Sequence, residues 1–533
     1  MSTLQIDLSG RKGLAPKFGG DSDRTVATPE LRILGADGQM ADGIYNPLIR
    51  YGYLSPANNT FTNVTVGGSA PSVKITSSQY DIENNDFYFG EEGRNIWKGD
   101  TLDDIVLTSV LDLGATGTPR IFDLELYELN GVKKLYFLYE TGGNMEIGNA
   151  STPYASENLN WLSTDVTGAF SNGLTNRAFM RVADNGFMYI FQDNNVHKVD
   201  GTTSGGATGT VVANTLQFPN YFQITDAIDY RGKIYIALRM DTGSNVTTEQ
   251  NAYNSKVGVY IWDRLSTVVN MRDFITVDGV RRLHKLHVSP EGRLRLTSEN
   301  SLRYAEIREF TGSAFNTIKQ ITSDGISYYL DTLTNVDNMT VWCGNDLNIY
   351  AFGKLTPGDS EEIYKIGQLP TGSLCSALLY GGANTFSGST GYKDVRSALY
   401  LAGTTTFKTW DIYGTGKKEA NSSSYIGNVY TLVKYLPQMS TVKDIDIYGM
   451  RTGTGSTVTA TVKLYFNQNS TASITKSITR DEMSRGYVRL EVNKQYINSI
   501  QIEIEFSTSS TISINNFAPS FAVVNYDDTN TKG

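Results

Sequence analysis

Between residues 71 and 427 the sequence repeats one unit seven times: an apolar strand, a polar turn of a few residues, and a second strand. Copies read Asp86-Phe-Tyr-Phe-Gly, Lys134-Leu-Tyr-Phe-Leu-Tyr, Phe187-Met-Tyr-Ile-Phe, Gly232-Lys-Ile-Tyr-Ile, Gly292-Arg-Leu-Arg-Leu, Met339-Thr-Val-Trp-Cys and Ala398-Leu-Tyr-Leu-Ala. With Tyr88, Tyr136, Tyr189, Tyr235, Arg295, Trp342 and Tyr400 as anchors, the steps are 48, 53, 46, 60, 47 and 58 residues. Repeats of this length built from strands and turns are the signature of four-stranded propeller blades. A blade leaves both sheet faces uncovered, so several must stack and close into a ring. Seven copies predict about seven blades. Because the copies share a pattern and no consensus, six or eight stay open. A β-helix would need shorter repeats.

Composition supports an all-β class. Gly occurs 51 times, and Asn, Ser and Thr are abundant, which favours turns and strands over helices. Hydrophobic residues make up 40% and aromatics 11%, enough to fill cores in a chain of 533 residues. The formal net charge of −9 carries no basic stripe of the kind that coats nucleic acid. It suits solubility, or a surface that repels a passing polyanion. The N-terminus lacks the basic and apolar regions of a secretory signal, and no apolar run approaches 18 residues, so neither secretion nor a membrane span is expected.

The flanks differ from the repeat region. Residues 1–70 mix turn formers with isolated apolar residues and read as an extended arm lying on the body or on a neighbour. Its Ile33, Ile44, Tyr45, Leu48, Tyr51 and Tyr53 are the candidate subunit-contact residues, since exposed tails rarely carry so much apolar surface. The arm is expected to serve subunit contact more than the fold, except for one strand near residue 70 in ring closure. Residues 428–526 alternate apolar and polar, as in Val442-Lys-Asp-Ile-Asp-Ile-Tyr and Ile500-Gln-Ile-Glu-Ile-Glu-Phe. That period of two predicts a C-terminal β-sandwich or jelly roll. Residues 527–533 read as a solvated tail.

No catalytic constellation stands out. His197, His284 and His287 are the only histidines, and on a regular strand positions 284 and 287 face opposite ways, against a chelate. Adjacent carboxylates such as Asp103-Asp104 and Glu361-Glu362 diverge on strands, whereas a glycosidase needs two that converge. The sialidase turn Ser-x-Asp-x-Gly-x-x-Trp finds only Ser289-Pro-Glu-Gly. Asp21-Ser-Asp and Asp193-Asn-Asn read as ordinary turns rather than calcium loops. Cys343 and Cys375 belong to no CxxC and read as core residues. The expectation is a protein that is not an enzyme and needs no metal or cofactor to fold. Two other readings stay open: a carbohydrate-binding or host-recognition propeller module, and a glycoside hydrolase of propeller fold.

The stretch Gly43-Ile-Tyr-Asn-Pro-Leu-Ile-Arg-Tyr-Gly-Tyr-Leu-Ser-Pro-Ala, leading into the repeats, resembles the opening of tailed-phage virion β-propeller proteins of the tail-nozzle or packaged-DNA-stabilisation type. The ending Phe517-Ala-Pro-Ser-Phe-Ala-Val-Val-Asn-Tyr resembles modules appended to phage tail proteins. The resemblance implies a structural virion component, a tail nozzle or hub, forming a homo-oligomeric ring that is often a hexamer. It implies contact with other virion proteins, assembly in the host cytoplasm, and transient passage of DNA without specific binding. It transfers no active-site residue.

Overall fold

The computed structural model describes residues 2–8, 15–16, 39–42, 61–63, 65–67, 74–84, 86–100, 106–114, 119–129, 131–141, 144–159, 161, 178–200, 210–240, 257–301, 304–321, 333–336, 338–344, 348–355, 358–369, 375, 377–383, 396–402, 407–411, 426–431, 434–452, 460–479, 482, 485–507 and 516–528. Strands dominate these residues, with a single 3-10 turn at Met271–Asp273.

Seven antiparallel sheets follow one another along the chain. Blade 1 holds Ile75–Asp81, Asp86–Glu91, Asn95–Asp100 and Val106–Asp112, with Thr65–Gly67 added in parallel at its outer edge. Blade 2 holds Arg120–Leu129, Val132–Thr141, Asn144–Ser151 and Glu157–Asn158; blade 3 holds Ala178–Val182, Met188–Gln192, Asn195–Asp200 and Thr210–Gln217. Blade 4 is Phe222–Tyr230, Lys233–Met240, Val257–Trp262 and Phe274–Thr276. Blade 5 is Val280–Val288, Leu294–Asn300, Ala305–Phe310 and Phe315–Ile321. Blade 6 is Thr334–Val336, Met339–Cys343, Asn348–Gly353 and Glu362–Gln368. Blade 7 takes Ala377–Ala383, Arg396–Ala402 and Phe407–Asp411 from its own stretch, and its fourth strand, Phe61–Asn63, from the other end of the chain.

The ring closes. First strands lie side by side from blade 1 through blade 5 and from blade 6 to blade 7, and the first strand of blade 7 returns to that of blade 1. Between blades 5 and 6, Asn335 Nδ2 donates to the Val288 carbonyl at 2.8 Å. Phe407 of blade 7 packs on Phe89 and Trp97 of blade 1, at 5.0 and 6.2 Å between ring centroids. The protein is therefore a seven-bladed β-propeller. Sheets radiating from an axis spread apart with distance from it, so the gaps between blades need bulky fillers further out. Aromatic residues on second and third strands meet that need: Tyr88, Trp97, Tyr136, Tyr189, Tyr260, Trp262, Trp342 and Tyr350 are all buried.

The remaining strands form one nine-stranded sheet, ordered Ser2–Asp7, Asn516–Asp528, Lys434–Thr452, Tyr487–Ser507, Ile426–Thr431, Gln39–Asp42 and Ala15–Pro16, with Ala460–Phe466 and Ile474–Ser477 branching from Tyr487–Ser507. Tyr487–Ser507 pairs with Lys434–Thr452 along its first half and with Ala460–Phe466 and Ile426–Thr431 along its second. Bulges between Tyr435 and Asp444, and positive φ at Asn493 and Tyr496, bend the two long strands where they change layers. Strands that switch layers through bulges make the corners of a sandwich. Its core is mainly aliphatic, from Ile6 and Leu8 through Ile445, Ile447, Val462 and Leu464 to Ile502, Ile504 and Val524.

Segment 1–70, read from sequence as an arm, thus supplies strands to two distant parts of the fold. Ser2–Asp7 pairs with Asn516–Asp528, Gln39–Asp42 with Ile426–Thr431, and Phe61–Asn63 with Phe407–Asp411. Ile6 and Leu8 are fully buried in the sandwich core. The expectation that this segment serves contact more than fold does not hold for Ser2–Asp7 and Gln39–Asp42, whose non-local pairing leaves no local repeat to read, while Phe61–Asn63 takes the ring-closing role expected of one strand near residue 70. Ile33, Ile44, Tyr45, Leu48, Tyr51 and Tyr53 lie outside the described residues.

Candidate functional site: a polar belt through the blades

The first strands of blades 1, 2, 4 and 5 carry bulges, between Ile75 and Ser77, Ile121 and Asp123, Ile224 and Asp226, and Leu283 and Lys285. A bulge re-aims a side chain out of the regular alternation, and here it turns polar groups toward the neighbouring blade. Asp123 Oδ1 accepts from Ser77 Oγ of blade 1 at 2.6 Å, and its Oδ2 accepts from the Met180 N–H of blade 3 at 2.9 Å. Asp226 of blade 4 repeats the device, accepting from the Leu286 N–H of blade 5 at 2.7 Å. Between them sits Arg181 of blade 3, which donates to Asp123 Oδ2 at 3.3 Å, to Asp226 Oδ1 at 3.1 Å and to the Ala227 carbonyl at 3.1 Å. One unbroken run of bonds crosses the boundaries from blade 1 to blade 5.

Glu125 stands beside this run and accepts from Gln79 Nε2 at 3.2 Å. Burial and the nearby Asp123 push its carboxyl up to about 8, against the opposing pull of Arg181. It is therefore mostly protonated at neutral pH, while Asp123 and Asp226 each engage donors with both oxygens.

A second cluster joins blades 5 and 6. Arg295, 1% exposed, reaches Glu309 at 3.2 Å and Glu361 at 2.5 Å and lies 5.0 Å from the centre of the Phe352 ring. Lys319 binds Glu362 at 2.9 Å, and Lys354 binds Glu291 at 3.2 Å. On the face formed by the turns between first and second strands, Lys133 binds Asp81 at 2.6 Å and the Tyr127 hydroxyl donates to the Gly186 carbonyl. There Arg264 pairs with Asp184, and the Tyr230 hydroxyl donates to the Gly292 carbonyl at 3.2 Å.

The residues singled out in the sequence are spread through the blades, and His287 is buried with neither ring nitrogen hydrogen-bonded among the described residues. His284 is the extra residue of a bulge, 3.9 Å from Glu299, and His287 pairs across strands with Arg295. Burial lowers His287 to about 3, helped by Arg295 and Lys285, and lowers His197 to about 4, so both are neutral at physiological pH. Glu361 and Glu362 bind different cations, and Glu291 of the Ser289-Pro-Glu-Gly turn binds Arg293 and Lys354. The Asp193 carboxyl is raised by burial, and Asn194 Nδ2 donates to the Phe218 carbonyl at 2.6 Å. Asp21-Ser-Asp and Asp103-Asp104 lie outside the described residues. Cys343 is buried and Cys375 half-buried. Among the described residues no three His, Cys, Asp or Glu gather as a metal site, and no helix is long and apolar enough to cross a membrane.

Sequence reasoning missed the belt. Its signal was an Asp interrupting an apolar strand at Phe122-Asp-Leu and Thr225-Asp-Ala. Whether such an Asp turns inward depends on a bulge, which the partner strand's register sets.

No family model and no curated protein matches the sequence. Among solved structures the chain is similar to Raptor from Chaetomium thermophilum, with 13% identity over 66% of this chain and 29% of Raptor, at a TM-score of 0.40. It is also similar to the β-propeller domain of Cps50 (Swd1) from Myceliophteria thermophila, with 9% identity over 66% of this chain and 99% of that domain, at a TM-score of 0.40. The propeller assignment rests on the seven sheets and their closure, not on these likenesses.

Proposed function

We propose that the chain is a non-catalytic structural component of a tailed-phage virion, a nozzle or hub protein that assembles as a homo-oligomeric ring around the DNA exit path. The sequence resemblance supplies the class. The observation that carries the structural part is the use of buried charge. Asp123, Arg181, Asp226 and Arg295 bridge blades instead of presenting reactive groups. A catalytic carboxylate needs an oxygen free to meet substrate, and both oxygens of Asp123 and Asp226 are engaged. A ring clamped in this way resists deformation, which suits a load-bearing part of a particle. The net charge of −9 is compatible with a lumen that lets DNA slide without binding it.

Peptide mass spectrometry of density-purified virus particles, with cryo-electron microscopy of the same particles, tests the proposal. The chain should be present in stoichiometric, multiple copies with density at the tail axis. Its absence from the particles, or hydrolysis of a glycan by the purified chain, would overturn it.

A further inference from the structure

At the corner of the C-terminal sandwich three stretches meet: residues 435–440, 467–471 and 493–498. Two tyrosines there stand unusually open, Tyr435 at 61% and Tyr496 at 64% exposed, with Met439 beside the bulge at 51%. The turn at Asn467 and Gln468 ties them together. Gln468 Nε2 donates to the Tyr435 hydroxyl at 2.6 Å, and Asn467 Nδ2 donates to the Tyr496 carbonyl at 3.0 Å. Asn467 also accepts from the Asn498 N–H at 2.8 Å and donates its own N–H to the Ser499 carbonyl at 3.0 Å. The bends of the long strands are explained by the change of layer; the exposure of two large rings is not.

The chemistry of the corner is distinctive. These three stretches hold seven Asn or Gln, no Asp or Glu, and one Lys, in a chain with 55 acidic residues. That Lys494 lies 5.6 Å from the centre of the Phe466 ring. Open aromatic rings beside side-chain amides match one kind of ligand well. A pyranose offers a C–H face that stacks on a tyrosine ring and a rim of hydroxyls that both donate and accept. Asn467 is taken up by the Tyr496 carbonyl and the Asn498 N–H and frames the corner, while the exposed amide side chains of Gln468 and Gln495 supply both functions from one planar group each. A protein partner would fit worse, because interface cores bury contiguous apolar surface, and here amides separate the apolar side chains.

We propose that this corner, built on Tyr435, Tyr496, Asn467 and Gln468, is a binding site for a neutral oligosaccharide. The site does not depend on the virion assignment and could fail while that assignment stands.

The test uses the full chain on an array of neutral oligosaccharides built from glucose, galactose, mannose and N-acetylglucosamine. Three variants are compared: Tyr435→Ala, Gln468→Ala and Tyr496→Asn, the last because Asn tolerates the left-handed backbone that Tyr496 adopts. Tyr221→Ala, at an exposed tyrosine on the propeller, is the control. The expected result is binding of at least one array glycan by the parent protein. Affinity should fall about tenfold or more in Tyr435→Ala and Tyr496→Asn and stay unchanged in Tyr221→Ala, with thermal midpoints preserved throughout. Failure of the parent protein to bind any array glycan, or undiminished binding by both tyrosine variants, would overturn the proposal. So would an equal loss in Tyr221→Ala. If the parent protein instead self-associates and Tyr435→Ala makes it monomeric without any glycan binding, the corner is a contact between copies and the proposal fails.

Discussion

The propeller and the sandwich solve the same problem, covering sheet faces and edges, in opposite ways. In the propeller, blades 1 to 6 are made from strands consecutive in the chain, and neighbouring blades are joined by aromatic packing and buried ion pairs. In the sandwich, the edge strand Ser2–Asp7 and its partner Asn516–Asp528 come from opposite ends of the chain, around a mainly aliphatic core. Blade 7 is the exception inside the propeller, because it borrows Phe61–Asn63 and so follows the sandwich's rule. The lesson is that a repeat fold can be local almost everywhere and still depend on one non-local join.

Removing residues 1–63 breaks that comparison hardest. The truncation uncovers the edge at Asn516–Asp528 and deletes the buried Ile6 and Leu8, a loss of about 3 to 6 kcal/mol from these two side chains alone. It also leaves blade 7 one strand short. The expected outcome is loss of cooperative thermal unfolding for the sandwich and a lowered midpoint for the propeller. A truncated chain that unfolds like the parent would show that local blades suffice.

A smaller effect is expected from Asp226→Ala, which leaves Arg181 with one buried partner fewer and the Leu286 N–H without its acceptor. Removing one member of a buried ion pair costs about 3 to 5 kcal/mol, so chemical denaturation should show a large drop. An unchanged midpoint would mean that the belt is passive.

Acid should weaken the propeller more than the sandwich, because His197 and His287 both lie in blades. Both are held neutral in the fold, at about 4 and about 3, while the unfolded chain protonates them near 6.5. The unfolded state therefore binds more protons below that point. Stability is present above about pH 6.5 and falls on acidification toward pH 4, by up to about 1.4 kcal/mol per pH unit for each histidine. His197→Asn with His287→Asn should flatten that slope, read from denaturation midpoints across the range.

How much could be read from the sequence follows the same division. Tyr88, Tyr136, Tyr189, Tyr235, Arg295, Trp342 and Tyr400 all fall on the second strand of their blades, an inner strand that is rich in apolar residues in most copies, Leu294–Asn300 of blade 5 being the polar exception. The alternating runs at Val442 and Ile500 likewise lie in sandwich strands. A closing strand is expected near residue 70, but its place at Phe61–Asn63 and its partner were not readable, since three residues carry no period and the partner lies some 350 residues away. The belt was hidden because bulges at Asp123 and Asp226 arise from cross-strand register. Nor did composition reveal the corner around Tyr435 and Tyr496, whose parts come from three separate stretches.

The smallest expected effect sharpens the role of charge. Glu125, pushed up to about 8, is already mostly protonated at pH 7, so Glu125→Gln should change stability there by no more than about 0.5 kcal/mol. The sign reverses that of the histidines: the fold holds a proton that the unfolded chain releases above the ordinary Glu range. The stabilising contribution is full below about pH 4.5 and lost as pH rises toward 8. A strong destabilisation by Glu125→Gln at pH 7 would mean that the carboxylate is charged and part of the belt.

The closure of the ring by the chain's own early strand is tested most directly with a cysteine pair. Thr62 and Thr409 are opposite one another in the ladder between Phe61–Asn63 and Phe407–Asp411, at a spacing that a disulfide can span. In a background of Cys343→Ala and Cys375→Ala, Thr62→Cys with Thr409→Cys should oxidise to an intramolecular bridge, identified by peptide mapping. Gln5→Cys with Val523→Cys, opposite one another in the sandwich, serves as the parallel control. Efficient linkage of positions 62 and 409 within one chain is the expected result; thiols that stay free there while positions 5 and 523 join would contradict closure by the N-terminal strand.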